Sequence, residues 1–237
     1  MRTILISGAN RGIGLNVASK ALKEGNRISV GIRNIESIKG SIIDPNKWPK
    51  GSILVNKYDA LDKVSAENWI NNTLEKFGGF DSIINCSGVL SKVPFLFKDG
   101  DEKEILNTLN INFLAIWNLC RLSWDHLCAS ERGRIIVLVS MSGKRSKGDL
   151  AAYSSSKFAL MGLCQTMKNN GWDKNIRITA ICPSWVNTKM AENISSLEKK
   201  NMTQPEDIAE ICNTILKLPT QSVPFEIALN CNHEVSV

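Results

Sequence analysis

Tyr153 and Lys157 are the two side chains in this sequence best suited to transferring a proton together. They form the ends of the segment YSSSK, residues 153–157. In a helix, side chains at positions i and i+4 point to the same side, so a phenol and an ammonium group would face one ligand. A nearby ammonium favours the phenolate and lowers a tyrosine pKa that is ordinarily about 10. The spacing also fits two polar side chains on a solvated face, so the motif alone decides little.

A glycine-rich segment near the start of the chain is suited to binding a dinucleotide. SGANRGIG, residues 7–14, follows an apolar run and leads into an amphipathic helical pattern. Gly8, Gly12 and Gly14 let the backbone turn tightly and approach a pyrophosphate, whose charge is favoured by N–H groups at the helix N-terminus. The spacing is GxxxGxG instead of GxGxxG, and a tight strand-to-helix turn is the alternative. The position directly after the first predicted strand favours the dinucleotide.

The end of the second predicted strand, GIRN at residues 31–34, indicates which dinucleotide is bound. A site for NAD usually has an acidic side chain there, which binds the ribose 2′-hydroxyl. Here Arg33 and Arg11 instead offer two guanidinium groups that suit a 2′-phosphate. We therefore expect NADP, with NAD the less favoured cofactor. Two alternatives stay open, namely a ribose contact by Glu36 and two arginines with no role beyond the surface.

Short apolar runs alternate with longer helical patterns along the whole chain. The predicted strands are TILIS (3–7), RISVGI (27–32), SILVN (52–56), DSIINC (81–86), RIIVLVS (134–140), IRITAIC (176–182) and PFEIAL (224–229). Helical patterns occupy residues 12–24, 62–77, 102–128, 151–170 and 205–217. Strand and helix alternation with nearly continuous apolar strands predicts parallel pairing. The expected fold is α/β: one three-layer Rossmann-type domain over residues 1–237, with a doubly wound seven-stranded parallel sheet and helices on both faces.

Two connecting segments stand out from this regular pattern. Residues 40–51 carry glycine and proline, which predicts a surface turn in place of most of a crossover helix. In TQPED, residues 203–207, Thr203 is expected to cap the last helix, with Glu206 completing a capping box. Ligands of such sheets bind beyond the carboxyl ends of the strands. One site should therefore lie among the loops that follow residues 7, 86, 140 and 182.

Composition excludes several classes of function. The net charge is +6, but lysines and arginines are scattered, whereas a nucleic-acid surface needs a basic stripe with interleaved aromatic residues. No run approaches the roughly 18 apolar residues of a membrane span, so no membrane partner is expected. Seven cysteines without a CxxC motif indicate reduced thiols and a cytoplasmic location. His126 and His233 lack partners at metal-ligand spacing, so no metal site is expected.

Six motifs, in order over nearly the whole chain, resemble those of the short-chain dehydrogenase/reductase family. The segment at residues 7–14 resembles the family's TGxxxGxG, NCSG (85–88) its NNAG, and PSWVNT (183–188) its PGxVxT. Asp59 follows the third strand, Asn112 lies in NINF (110–113), and Ser140 precedes Tyr153 by thirteen residues, as in the family. Cys86, Ser87 and Ser184 are departures from those patterns.

The resemblance implies an NADP(H)-dependent oxidoreductase that transfers a hydride between nicotinamide and a carbonyl or secondary alcohol. Its catalytic residues would be Asn112, Ser140, Tyr153 and Lys157. Tyr153 would act as general acid and base, Ser140 would hold the substrate oxygen, and Lys157 would also bind the nicotinamide ribose. Asn112 would kink its helix and hold a water that leads to Lys157. The alternative is a non-enzymatic NADP(H)-binding regulator or scaffold on the same fold, but the presence of all four residues favours the enzyme.

The resemblance also assigns the cofactor and substrate contacts. The expected cofactor-binding residues are Gly8, Asn10, Arg11, Gly12, Ile13, Gly14, Arg33, Asp59, Ala60, Asn85, Gly88, Tyr153, Lys157, Pro183, Val186 and Thr188. The substrate pocket is expected to contain Ser140, Tyr153 and Trp185, although Trp185 could equally pack beneath its loop.

Further expectations concern the substrate loop and the assembly. Residues 188–203 are expected to form a short substrate loop. The substrate would be a small carbonyl or alcohol, and the subunits would form a homodimer or homotetramer through residues 102–128 and 151–170. The three serines of YSSSK would act through their small size, letting the helix lie close to the cofactor.

Overall fold

The computed structural model describes residues 1–146, 148–192 and 194–231. Its seven strands form one sheet in the order β3-β2-β1-β4-β5-β6-β7, and every neighbouring pair is parallel. They are β1 (Thr3–Ser7), β2 (Arg27–Ile32), β3 (Ile53–Lys57), β4 (Ser82–Asn85), β5 (Arg134–Leu138), β6 (Arg177–Pro183) and β7 (Glu226–Leu229). The predicted doubly wound parallel sheet is confirmed, with small shifts at the strand ends.

Helices cover both faces of this sheet. They are α1 (Gly12–Lys23), α2 (Lys63–Phe77), α3 (Glu102–Leu109), α4 (Ala115–Ala129), α5 (Ala151–Gly171), α6 (Lys189–Glu192) and α7 (Pro205–Lys217). Alternate strand residues face opposite layers. Leu5 and Val137 pack in one apolar core with α2, α4 and α5, while Ile6 and Ile136 pack in the other with α1 and α7. The result is the expected three-layer α/β arrangement.

The connection between β2 and β3 is built from turns, as the sequence predicts. It contains two short 3₁₀ helices, Ile35–Ile38 and Pro45–Lys47. The Asp44 carboxylate accepts hydrogen bonds from the backbone N–H groups of Gly40, at 2.7 Å, and Asn46, at 3.0 Å. These bonds close the loop on itself, so no crossover helix is needed here.

The start of α7 differs from the prediction. The helix is capped by Gln204, one residue after the expected Thr203, and the backbone N–H of Gln204 donates to the Asp207 carboxylate at 3.0 Å. Pro205 supplies the reason, because its fixed φ suits the first helical position. Thr203 is instead paired with Val186 in a parallel bridge.

The chain reverses its direction across the sheet between β1 and β4. Ser7 and Asn85, the last residues of these strands, lie side by side in the register. In an open parallel sheet, the carboxyl ends at such a switch point leave a crevice for a ligand. The loops after β1, β4, β5 and β6 meet at this edge.

Candidate active site

An open cleft with a volume of about 150 Å³ lies at the carboxyl edge of the sheet. Residues from the β1–α1 turn, the ends of β4, β5 and β6, the first turns of α5, and α6 line it. The predicted site residues found in its wall are Ile13, Gly88, Ser140, Tyr153, Lys157, Pro183, Trp185, Val186 and Thr188. The remaining predicted residues lie behind the wall or farther along the same edge.

Tyr153 and Ser140 meet in this cleft. Tyr153 lies in the first turn of α5, and Ser140 follows β5. Their side chains share a hydrogen bond. Burial raises the pKa of the Tyr153 phenol, and the bond with Ser140 lowers it by less. The net shift is upward, opposite to the lowering that the sequence predicts, because loss of water outweighs any help from nearby charge. At neutral pH Tyr153 is therefore a phenol that can donate a proton.

Lys157 is buried beside Tyr153, with 4% of its surface exposed. Its Nζ donates to the carbonyl oxygen of Leu138 at 2.9 Å and lies 5.7 Å from the centre of the Tyr153 ring. Burial lowers the pKa of the Lys157 ammonium to about 8. The group is therefore charged at neutral pH and loses its proton under mildly alkaline conditions.

Asn112 lies directly behind the cleft wall. It belongs to a π-helical turn, Asn110–Leu114, between α3 and α4, which confirms the predicted irregularity of this helix. Its Oδ1 accepts from the backbone N–H of Val89 at 2.8 Å, and its Nδ2 donates to the Val89 carbonyl oxygen at 2.9 Å. Asn112 thus fixes the loop after β4, whose Val89 lines the cleft.

Ser156 is a positioning residue that the sequence analysis missed. It is fully buried, its Oγ accepts from Nδ2 of Asn112 at 3.0 Å, and it donates to the carbonyl oxygen of Tyr153 at 2.7 Å. Small size alone, the role expected for all three serines, therefore understates what Ser156 does. A usable signal was present, because a serine three residues after Tyr153 shares its helix face and needs a partner once buried.

The glycine segment forms a tight backbone cradle. Gly8 and Gly12 have φ angles of 69° and 53°, which side chains rarely permit. A Cβ added to Gly14 would lie 2.4 Å from the carbonyl oxygen of Gly8, so this close approach requires glycine. A Cβ at Gly12 would lie 3.2 Å from Cγ2 of Thr188. The glycine segment and Thr188, both expected to contact the cofactor, therefore lie side by side.

Five further residues expected to bind the cofactor lie outside the cleft wall. Asn10 and Arg11 belong to the β1–α1 turn, Arg33 follows β2, and Asp59 and Ala60 follow β3. Both arginines are exposed, and Asp59 Oδ1 accepts from the backbone N–H of Leu61 at 3.0 Å. Glu36, the alternative ribose contact, forms an ion pair with Lys39. Both side chains of this pair are exposed.

Asn85 and Gly88, both in NCSG, have different surroundings. The amide nitrogen of Asn85 lies 3.6 Å from Sγ of Cys120, and its Oδ1 is buried without a hydrogen-bond partner. Strand alternation directs the Asn85 side chain toward α4, where Cys120 lies. Gly88 lies beside Asn112, since a Cβ added to Gly88 would lie 3.3 Å from Asn112 Oδ1.

The segment after β6 supplies Trp185 and the substrate loop. Trp185 lines the cleft, and its carbonyl oxygen accepts from the backbone N–H of Thr203 at 3.0 Å. The hydroxyl of Ser184, where the family pattern has glycine, lies 3.6 Å from Sγ of Cys231. Among the described residues of 188–203, the range expected to form a short substrate loop, the regular elements are α6 and the 3₁₀ helix Lys199–Asn201.

Other candidate residues have structural surroundings. Cys86 lines the cleft, but burial raises the pKa of its thiol well above the usual range, so it is not a thiolate. Lys92, Phe95 and Phe97 lie outside the cleft wall. His126 packs its ring 5.6 Å from that of Phe80.

The described residues contain neither a metal-binding cluster nor a membrane-spanning helix. Within them, no cluster of three or more histidines, cysteines or acidic residues is arranged to hold a metal ion. His233, the other histidine considered, lies outside the described residues. Over the same ranges, no helix combines the length and apolar character that crossing a membrane requires.

Sequence comparisons connect this geometry with known proteins. The family model described as short chain dehydrogenase matches residues 2–199. An agropine synthesis reductase of Rhizobium rhizogenes is 32% identical over 231 residues, which are 98% of this chain and 53% of that protein. The chain thus spans about half the length of this relative. An acetoacetyl-CoA reductase of Allochromatium vinosum is 25% identical over 218 residues, 88% of each chain.

Solved structures with the same fold include two complexes with nicotinamide cofactors. An alcohol dehydrogenase from Thermococcus sibiricus, complexed with 5-hydroxy-NADP, has a TM-score of 0.83 and 23% identity, covering 97% of this chain and 96% of its own. An actinorhodin polyketide ketoreductase with NADPH has a TM-score of 0.84 and 22% identity, covering 97% and 95%. These identities are low, so the likeness establishes the fold alone.

Proposed function

The chain belongs to the short-chain dehydrogenase family, and from this premise we propose that it is an NADP(H)-dependent reductase of a ketone or aldehyde. The observation that carries the proposal is the meeting of Ser140, Tyr153 and Lys157 in one cleft, with Asn112 fixed behind them. The same residues would run the reverse oxidation of a secondary alcohol.

Tyr153 is the proposed general acid. Its raised pKa keeps the phenol protonated at neutral pH, so it can donate to a carbonyl oxygen in the cleft. Ser140, already bonded to the phenol, would hold the same oxygen and stabilise the charge that develops on it. The bound nicotinamide would supply the hydride.

Lys157 and Asn112 support this transfer. The Lys157 ammonium lies close enough to the Tyr153 ring to stabilise negative charge as the proton leaves, and it would bind the nicotinamide ribose hydroxyls. Asn112 is a positioning residue in this structure, because its amide holds the Val89 backbone and Ser156. A water between the Asn112 region and Lys157, as in the family, would resupply the proton.

The backbone of the glycine segment fits a dinucleotide. The turn that contains Gly8, Gly12 and Gly14 leaves little room for added side chains, so its backbone N–H groups can approach a pyrophosphate at the start of α1. Asp59 and Ala60 would contact the adenine, while Arg11 and Arg33 would bind the 2′-phosphate. The two exposed guanidinium groups support NADP, because they suit a 2′-phosphate.

The choice of cofactor is tested with Arg33→Ala and Glu36→Gln. We expect Arg33→Ala to raise the Kd for NADPH about 10-fold, through loss of a charge-assisted bond, and to leave NADH nearly unchanged. Glu36→Gln is the matched control and should alter neither affinity. Fluorescence titration of each variant with both nucleotides measures this. An equal loss of NADPH and NADH affinity in Arg33→Ala would refute the choice of NADP.

We also propose that the protein forms a homodimer or homotetramer in the cytoplasm. Four large apolar side chains of the α3–α5 region are strongly exposed, namely Leu106, Leu114, Trp117 and Phe158. Burying such a surface is favourable, and exposed patches of this kind mark subunit contacts. The absence of a disulfide among the seven cysteines, all of them described, supports a reducing compartment.

A screen of NADPH oxidation tests the activity itself. Small aldehydes, ketones and 3-oxoacyl thioesters are offered with NADPH, and NADH is run beside it. The proposal predicts oxidation of NADPH with at least one carbonyl class and slower oxidation of NADH. Tight NADPH binding without turnover of any carbonyl would favour the non-enzymatic regulator instead.

A further inference from the structure

The wall of the cleft carries charge of one sign. Among its described residues, the charged side chains are Lys157 and Arg145, and there is no aspartate or glutamate. Lys157 already bonds to Leu138 and lies beside Tyr153. Arg145 has no part in the proton transfer proposed above, and the cleft around it contains Leu150 and Trp185.

Arg145 comes from the segment that also supplies Ser140. A 3₁₀ turn, Met141–Gly143, follows Ser140, and the backbone N–H of Arg145 donates to the Met141 carbonyl oxygen at 3.0 Å. This turn keeps the half-buried Arg145 at the same end of the cleft as Ser140. The proposed dinucleotide contacts come mainly from other segments, those that follow β1, β4 and β6. Arg145 therefore belongs to the substrate end.

The neighbouring cation has a different environment. Lys144 forms an ion pair with Glu226 of β7 and does not line the cleft. Of these two adjacent cations, Arg145 lines the cleft and Lys144 does not. Lys144 consequently provides a control for removal of one positive charge at nearly the same place in the chain.

We propose that Arg145 binds a carboxylate of the substrate, so that the preferred substrates are oxo acids. The inference rests on the proposed reductase function and names its substrate class. A guanidinium group matches the two oxygens of a carboxylate with parallel hydrogen bonds. Arg145 is half-buried, and partial removal from water strengthens such an interaction. With the ketone oxygen on Ser140 and Tyr153, the acid is held at two points and its carbonyl carbon is fixed for hydride transfer.

Matched acids and esters test the proposal. Oxo acids with one to four carbons between ketone and carboxylate are compared with their methyl esters, using NADPH. At least one acid should show a kcat/KM about 10-fold or more above that of its ester, as expected for a charge-assisted bond. Arg145→Met should remove this preference by lowering the value for the acid and leaving that for the ester. Arg145→Lys should keep part of it, and Lys144→Met should keep all of it.

The outcomes separate this inference from the function on which it rests. Reduction of esters and acids with equal kcat/KM would overturn the role of Arg145 while the reductase remains. Failure of every carbonyl to oxidise NADPH would overturn the reductase and its substrate class together. Calorimetric titration of hydroxy acids and their methyl esters into NADP-saturated protein needs no turnover. Tighter binding of an acid that is lost in Arg145→Met supports the inference, and equal binding of acid and ester contradicts it.

Discussion

Burial acts in opposite directions on the two ionisable side chains at the centre of the site. It raises the pKa of the Tyr153 phenol and lowers that of the Lys157 ammonium to about 8, because loss of water disfavours either charge. At neutral pH the pair is therefore a protonated phenol beside an ammonium group. In this state Tyr153 carries the proton that the proposed reduction of a carbonyl requires.

The pKa of Lys157 predicts how NADPH binding depends on pH. The ammonium is present below about pH 8 and is lost as the pH rises through that value. If it binds the nicotinamide ribose, the NADPH affinity is complete below pH 8 and falls above it, and NADPH in turn raises the Lys157 pKa. Titrations of the wild-type protein and Lys157→Met between about pH 6 and 10 measure this. Parallel pH profiles for the two proteins would contradict the role given to Lys157.

At the scale of single elements, the start of α7 shows how a local signal is displaced by its neighbours. Thr203 and Glu206 have the residue types and spacing of a capping box. The bridge between Thr203 and Val186, which ties the end of the substrate loop to the segment after β6, takes the threonine out of that position. Gln204 and Asp207 form the cap instead. A sequence pattern cannot reveal a bridge to a residue so far away in the chain.

This arrangement predicts unequal effects of two neighbouring acidic residues. Asp207→Ala removes the acceptor of the Gln204 N–H and should lower the free energy of unfolding by about 0.5–1 kcal/mol. Glu206→Ala removes the same charge from the same helical turn without that hydrogen bond, so its effect should be smaller. Urea denaturation of both variants measures the difference. A larger loss of unfolding free energy in Glu206→Ala would instead support the capping box predicted from the sequence.

The elements themselves were predictable, whereas several side-chain partners were not. Continuous apolar runs located every strand, because both faces of a parallel sheet are buried. Motif spacing also located Ser140, Tyr153 and Lys157 in what proved to be one cleft. The partners of Asn85 and Ser156 depend on how β4 and α5 pack against α4 and the π-helical turn. Such contacts join residues distant in the chain, so spacing alone does not identify them.

At the scale of the whole molecule, the parallel sheet brings distant motifs to one edge. The glycine segment, NCSG, Ser140 and PSWVNT each follow a strand, and the strand order places those strands side by side from β1 to β6. Arg145 reaches the same cleft through the turn after Ser140, yet no motif marked it. The sequence thus predicted the residues proposed for the reaction better than the residue proposed to select the substrate.

The proposed assembly makes its own prediction. Trp117, on α4, is 49% exposed and packs its ring 5.5 Å from that of Phe113. Trp117→Arg places a charge in the proposed subunit contact, so it should convert the oligomer into monomers. Val64→Arg, at an apolar position of α2 that is 60% exposed, should leave the assembly intact. Light scattering after size-exclusion chromatography gives the masses, and a monomeric wild-type protein would contradict the proposed oligomer.

The proton-transfer role of Tyr153 is tested most directly by removing its hydroxyl. The sequence has two tyrosines, and the other, Tyr58, is buried beside Trp69 with ring centres 5.0 Å apart, which makes Tyr58→Phe the matched control. The measurement is the rate of NADPH oxidation with an accepted carbonyl, alongside the Kd for NADPH. Tyr153→Phe should abolish turnover with NADPH binding largely intact, and Tyr58→Phe should retain both. Turnover by Tyr153→Phe at the wild-type rate would contradict the account.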